Sequence, residues 1–148
     1  MIIVERAITL TQPWATLVAI GWKKYESRSW RTAYHGWLAI HAAKGFPKTC
    51  RALCYRQPFA LALANAGFQN PDGLPRGQVI AIVRLIDCVS TDLWTPPKHS
   101  NEYDFGDYSP GRWAWKLEGV QRIDPLEVKG ALGIWQLPSP ITEADLLP

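Results

Sequence analysis

The chain is poor in the residues that staple small secreted proteins, with three cysteines among 148 residues, an odd number. Cys50 and Cys54 stand four apart and Cys88 is alone in an apolar stretch. Neither a disulfide framework nor the paired Cys-x-x-Cys ligands of a zinc site is expected; three reduced, mostly buried thiols are. His35, His41 and His99 have no metal-ligand spacing. Long apolar runs are missing too: nothing approaches the ~20 residues of a membrane span. Glu5 and Arg6 interrupt the segment where a secretory signal would be apolar. A Gly-rich phosphate loop, a dinucleotide fingerprint, His-Glu-x-x-His and Gly-x-Ser-x-Gly are all absent. Asp104-Phe105-Gly106 spells a kinase tripeptide without the lysine strand or catalytic loop that gives it meaning. These absences set aside membrane proteins, disulfide scaffolds, nucleotide-driven enzymes and metallohydrolases. The expectation is a soluble cytoplasmic protein with no metal and no cofactor.

What is present fits a globular fold. Hydrophobic residues make up 47% of the chain and charged ones 20%, and its length suits one domain spanning residues 1–148. The net charge of +3 is unevenly spread: residues 1–74 hold nine Lys or Arg against three acids, and residues 75–148 hold seven against ten. Between Lys23 and Arg56 eight cations face only Glu26. Such a block attracts polyanions, because phosphates supply the electrostatic attraction that dominates nucleic-acid affinity.

Along the chain, Ile8–Thr11 reads as a short extended piece. Pro13 then opens a helix that Thr11 or Gln12 can cap, Trp14, Leu17 and Val18 form its buried stripe, and Gly21 ends it. The polar, aromatic-interleaved Lys23–Trp30 segment reads as a strand. Its period of two puts Lys24, Glu26, Arg28 and Trp30 on one face and Lys23, Tyr25 and Ser27 on the other. Trp37–Ala42 follows as an apolar strand. The stretch from Pro47 to Ala66 is the longest helix, with Pro58 as a break and Gly67 as its stop. Gly77–Ser90 is a strand buried on both sides. Thr91–Gly111 is a long loop with its role left open. Strands resume at Arg112–Glu118, Val120–Ile123 and Gly133–Leu137. The core spans about residues 6–137, and residues 138–148 read as a peripheral tail. Runs of strands with helices near the front indicate α+β: a small curved sheet or barrel with flanking helices.

The front strand carries the candidate site. Trp30 shares a face with Lys24, Glu26 and Arg28, an aromatic among cations of the kind that stacks an unpaired base; it also fits as a core plug beneath Arg28. His41, followed by Lys44 at a strand end, is either a base, a phosphate contact or a hydrogen-bonded structural histidine.

The run Gly21-Trp22-Lys23-Lys24-Tyr25-Glu26-Ser27-Arg28 resembles the Gly-x-Lys-x-x-Glu-x-Arg signature of ASCH domains in the PUA-like superfamily. Gln12-Pro13-Trp14-Ala15, Gly36–Lys44, Gly77–Ala81, Gly111–Leu117 and the Lys129-Gly130 and Gly133-Ile134-Trp135 pair are similar to the family's other blocks, in order. The resemblance implies a PUA-like β-barrel of about 5–6 strands with flanking helices, and a basic cleft holding the signature residues. It implies a role in binding RNA or a modified nucleoside. Lys23, Glu26, Arg28, Trp30, Arg31, His41 and Lys44 are the expected nucleic-acid or base contacts, with Glu26 accepting from an exocyclic amine. The alternative is a hydrolase acting on nucleosides or RNA, through deacylation of acylated cytidine or RNA cleavage, with Lys23 and Glu26 as catalytic groups. The deacylating members pair the motif lysine with a threonine and a glutamate whose positions here are Glu26 and Ala81. Whether the chain is a reader or an enzyme, and its oligomeric state, stay open.

Overall fold

The computed structural model describes residues 1–148. The element order is β1 (Ile3–Leu10), α1 (Trp14–Ala19), β2 (Tyr25–Arg28), β3 (Gly36–Ala42), α2 (Lys48–Leu53), α3 (Phe59–Asn65), β4 (Gln78–Ser90), α4 (Asn101–Phe105), β5 (Trp113–Glu127) and β6 (Ile134–Thr142), with short 3₁₀ turns at Pro71–Gly73 and Glu143–Asp145. The strands form one sheet in the order β2-β5-β4-β3-β1-β6. Only β1 and β3 run parallel; the other neighbours are antiparallel. This is the expected α+β class, with the barrel-like sheet left open between its edge strands β2 and β6. No helix is long and apolar enough to cross a membrane.

The apolar run of β4 occupies the middle of the sheet, where both faces are covered. On one face Ile8, Leu10, Leu38, Ile40, Val83, Leu85 and Trp115 pack with Ala15, Val18 and Ala19 of α1. The opposite face gathers Val4, Ala7, Ala39, Val79, Ile82, Ile123, Leu137 and Ile141. Successive residues of β3 alternate between these clusters, as a pleated strand requires. Register shifts at three places in the β4–β5 ladder add curvature, so the sheet wraps its second cluster. Leu17 of α1 turns the other way, into a third cluster with Phe59, Leu63, Leu74 and Phe105, which fastens α3 and α4 beside the sheet.

Several sequence expectations change. The first strand begins at Ile3, not Ile8. The expected break at Pro58 is there and is complete, so the Pro47–Ala66 stretch is two short helices, α2 and α3, and not one long one. The two strands expected on either side of Gly119 are a single strand, because Gly119 takes a positive φ of +64° inside the continuous β5. The peripheral tail is corrected in part. β6 runs on to Thr142 against β1, and Ile141 is 2% exposed. Pro138 and Pro140 are tolerated there because they fall in the irregular stretch between the Arg6–Gln136 and Val4–Ile141 pairs, where the edge-strand ladder is interrupted. Of the three thiols, all free, only Cys54 is buried; burial pushes it up to about 11.

Candidate functional site

The end of α1 decides where the signature residues go. Gly21 takes a positive φ of +84°, and the N–H groups of Trp22 and Lys23 both donate to the Leu17 carbonyl. Lys23 therefore belongs to the closing turn of the helix, and the strand starts only at Tyr25. Its side chain turns inward, leaving the residue 2% exposed. The ammonium donates to the Tyr25 carbonyl and lies 3.5 Å from Glu26 Oε1. The assignment of Lys23 to the face away from Glu26 is thus corrected: the turn, not the pleat, sets its direction.

Glu26 and Arg28 do share a face of β2. Arg28 Nε lies 3.2 Å from Glu26 Oε2, and Arg28 Nη2 donates to the Thr9 carbonyl at 2.9 Å. The Nε–H is buried yet has no hydrogen-bond partner, since it is near the carboxylate without being aimed at it. Glu26 so joins Lys23 behind it to Arg28 in front.

In front lies a cleft of about 550 Å³. Glu26, Arg28 and Trp30 contribute from the front strand and its end, Thr9 and Thr11 from the end of β1, Trp14 and Phe59 from the helices, and Asp104, Asp107 and Arg112 from the segment after β4. Trp30 is 37% exposed, meets Trp115 edge to face at 4.7 Å, and its carbonyl accepts from Trp115 Nε1 at 3.4 Å. Trp14 is fixed by donation from Nε1 to the Phe105 carbonyl at 2.5 Å.

Residues 91–111, left without a role in the sequence, form one wall of this cleft. Ser100 caps α4 by accepting from the Tyr103 N–H, and Phe105 and Tyr108 are buried. Glu102 accepts from the Lys24 N–H at 2.7 Å and from the Tyr108 hydroxyl at 3.4 Å. Burial raises the Glu102 carboxyl above its ordinary value, against the opposing pull of Lys23 and these donors. Burial and the nearby Glu102 likewise push Tyr108 up. At the far end Asp107 N–H donates to Ser27 Oγ at 3.1 Å, and Arg112 donates to the carbonyls of Asp107 and Ser27. Ser109 donates side-chain and backbone hydrogen bonds to Asp107, which hold its carboxyl below the usual range.

The expected basic cleft is corrected by this lining. Glu26, Asp104 and Asp107 face Arg28 and Arg112, so acids outnumber cations. The cations of the front half are used elsewhere. Lys23 is buried, Arg31 lies over the Trp113 ring, and Arg51 of α2 is paired with Asp72 of the Pro71–Gly73 turn. Lys23 does not line the cleft; it borders a different pocket of about 340 Å³ with Lys24 and Lys116. Lys44 and His41 lie in a third, open groove. No cluster of histidine, cysteine and acidic side chains has the arrangement to hold a metal ion.

His41 is hydrogen-bonded on both ring nitrogens, 2.7 Å from the Val128 carbonyl and 3.1 Å from Thr9 Oγ1. Burial lowers its pKa, with the Val128 bond opposing. The neutral ring donates from Nε2 and accepts Thr9 O–H at Nδ1, while Thr9 Oγ1 accepts from Trp135 Nε1 at 3.1 Å. Because the folded-state pKa is depressed, His41 contributes stability above its unfolded value near 6.5 that is lost as pH falls through the folded value. Melting temperature should therefore drop on acidification below about pH 6.5 in the wild type, more steeply than in His41→Gln. Parallel pH profiles for the two proteins would remove His41 as the cause.

Asp104, Asp107, Arg112 and Trp14 reach the cleft from distant segments and are not among the contacts expected from the sequence. The only signal available was the cluster of acids and turn residues in the long loop.

The ASCH domain profile matches residues 8–127. The chain belongs to the ASCH domain family. It is 32% identical over 138 residues to activating signal cointegrator 1 of Homo sapiens and 29% identical over 137 residues to that of Mus musculus, covering 90% of this chain in each case. The match spans 22% of the length of those relatives. Among solved structures, the ASCH protein of Zymomonas mobilis superimposes with a TM-score of 0.53 at 18% identity, covering 90% of this chain and 87% of that one. A point mutant of the same protein gives a TM-score of 0.54, also at 18% identity, with 90% and 89% covered. These structures share the fold.

Proposed function

We propose that this ASCH domain is a reader of RNA that takes one unpaired or modified base into the cleft between β2 and the 91–111 wall. The observation that carries the reading is the lining: aromatic side chains of Trp14, Trp30 and Phe59 around a short row of fixed donors and acceptors. Flat apolar walls with a few polar groups are what a heteroaromatic ring needs for stacking and edge recognition. The excess of carboxylates favours a base bearing an amino group over a phosphate. A carboxylate offers about four lone-pair sites, so Glu26 keeps acceptor capacity beyond Lys23 and Arg28. Membership of the family, and the basic front half of the chain, support RNA as the polymer.

The hydrolase alternative has less to work with. A lysine acting as a base must be neutral part of the time and reach the substrate, whereas the Lys23 ammonium is paired with Glu26 behind the cleft. Ala81, at the position of the deacylating members' glutamate, is buried in the core. The protein should turn over neither acylated cytidine nor RNA.

Titration of the protein with single-stranded RNA at low and high salt, followed by tryptophan fluorescence, tests the reading. Saturable binding that weakens with salt and is reduced severalfold by Arg28→Ala is expected. Absence of affinity for RNA and nucleosides at low salt, or release of cytidine from its acylated form, overturns it.

A further inference from the structure

Across Thr9 from the cleft lies a second concavity of about 910 Å³, and Thr9 lines both. Lys44, Arg76 and Lys129 line it with Glu127 as the single acid, so its charge is opposite in sign to that of the cleft. All three cations are exposed, and none has a carboxylate within ion-pair distance. Arg76 lies over the Phe46 ring at 5.7 Å, which holds its guanidinium in place without neutralising it.

The floor is built to hold these charges. Gly77 N–H donates to the Ala42 carbonyl at 2.8 Å, and Val128 N–H donates to the Gly77 carbonyl at 3.4 Å. His41 holds the Val128 carbonyl from below. A Cβ at Gly130 would come within 2.6 Å of the His41 ring and 2.8 Å of Thr9 Oγ1, so only glycine lets the backbone after Lys129 settle this closely. His41 is thus a positioning residue: it seats the Val128–Gly130 segment that carries Lys129.

We propose that this groove binds the phosphates of an RNA strand whose unpaired base occupies the cleft beyond Thr9, so that the ligand is a polynucleotide and not a free nucleoside. The inference rests on the base-reading cleft for the position of the strand and on the groove itself for its charge. Neutral base recognition and phosphate neutralisation are divided between two neighbouring concavities, the division of labour seen where phosphate contacts position a strand and base contacts specify it.

The test measures binding of a fluorescent single-stranded oligoribonucleotide, and of cytidine and adenosine, over a salt series. It compares the wild-type chain with Arg76→Ala/Lys129→Ala and with the charge-preserving Arg76→Lys/Lys129→Arg, all checked for unchanged melting. The alanine pair should bind the oligonucleotide about tenfold more weakly at low salt, with the slope of log affinity against log salt reduced by about 1.4, because each lost single-strand phosphate contact removes about 0.7. Its nucleoside affinity should equal that of the wild type, and the charge-preserving pair should retain oligonucleotide binding. Unchanged oligonucleotide affinity and slope in the alanine pair would overturn the groove while leaving the cleft reading intact. So would a wild type that binds the oligonucleotide no tighter than the nucleoside. Competition by polyglutamate as effective as by RNA would overturn the assignment to a nucleic-acid strand. A wild type that binds neither ligand would overturn both readings, whereas loss of oligonucleotide affinity in the alanine pair with none in Arg28→Ala would keep the groove as a phosphate site and overturn the placement of the base in the cleft.

Discussion

Lys23→Ala should destabilise the fold by about 2–5 kcal/mol, the cost of truncating a fully buried side chain and of breaking one of the two ion pairs that Glu26 makes, with Arg28 left as its partner. The side chain has no solvent exposure, while Glu26 beside it retains 13%. Glu102, held in the neighbouring wall, also feels the charge of Lys23. Alanine would leave both carboxylates without the ammonium and open a cavity behind β2. Lys23→Met, which fills most of the volume without the charge and leaves the Glu26–Arg28 pair in place, should recover part of the loss. Urea unfolding with the slope held common to the three proteins measures this. A loss below about 1 kcal/mol for Lys23→Ala would mean that Arg28 alone satisfies Glu26, and that Lys23 does not organise the site.

The fate of Lys23 shows where the sequence was readable and where it was not. The spacing of Glu26 and Arg28 is a property of any strand, and their shared face followed from it. Lys23 precedes the strand by two residues, and its direction depends on a helix-closing turn whose hydrogen bonds to Leu17 have no periodic signature. The central strands β3 and β4 were legible because continuous apolar runs have few other uses. At Gly119 a glycine with turn-like character reads as a strand end, whereas it is absorbed into the curved β5. The basic front half was a true feature of composition, but composition cannot say which cations are spent on partners. Arg51 pairs with Asp72, Arg31 lies over Trp113, and Lys44 is carried by the end of β3 into the groove. The cations that join Lys44 there, Arg76 and Lys129, come from the half of the chain that is acidic overall. The wall supplied by residues 91–111 was equally hidden, since tertiary contacts such as Lys24 to Glu102 and Asp107 to Ser27 give it its place.

Trp30→Ala should weaken RNA binding by about 1–3 kcal/mol, between roughly fivefold and 150-fold, if one base stacks on the indole as proposed. The residue can serve both the cleft and the core: one edge contact with Trp115 accounts for part of its surface, and 37% remains open. Truncation forfeits this edge contact, about 0.5–1.5 kcal/mol, together with the buried part of the indole, so the variant should melt earlier and its binding is measured below its melting range. Two features separate stacking from packing. Trp30→Phe keeps an aromatic face and should retain most of the affinity lost by alanine. The alanine effect should also be nearly independent of salt, because removing a neutral ring releases no counterions, in contrast to the change of slope expected when Arg76 and Lys129 are removed. Affinity and melting temperature measured for wild type, Trp30→Ala and Trp30→Phe across the same salt series decide the matter. If Trp30→Ala melts earlier but binds RNA as the wild type does, the indole is a plug over Trp115, and base stacking belongs to Trp14, whose ring is packed against the buried Phe59.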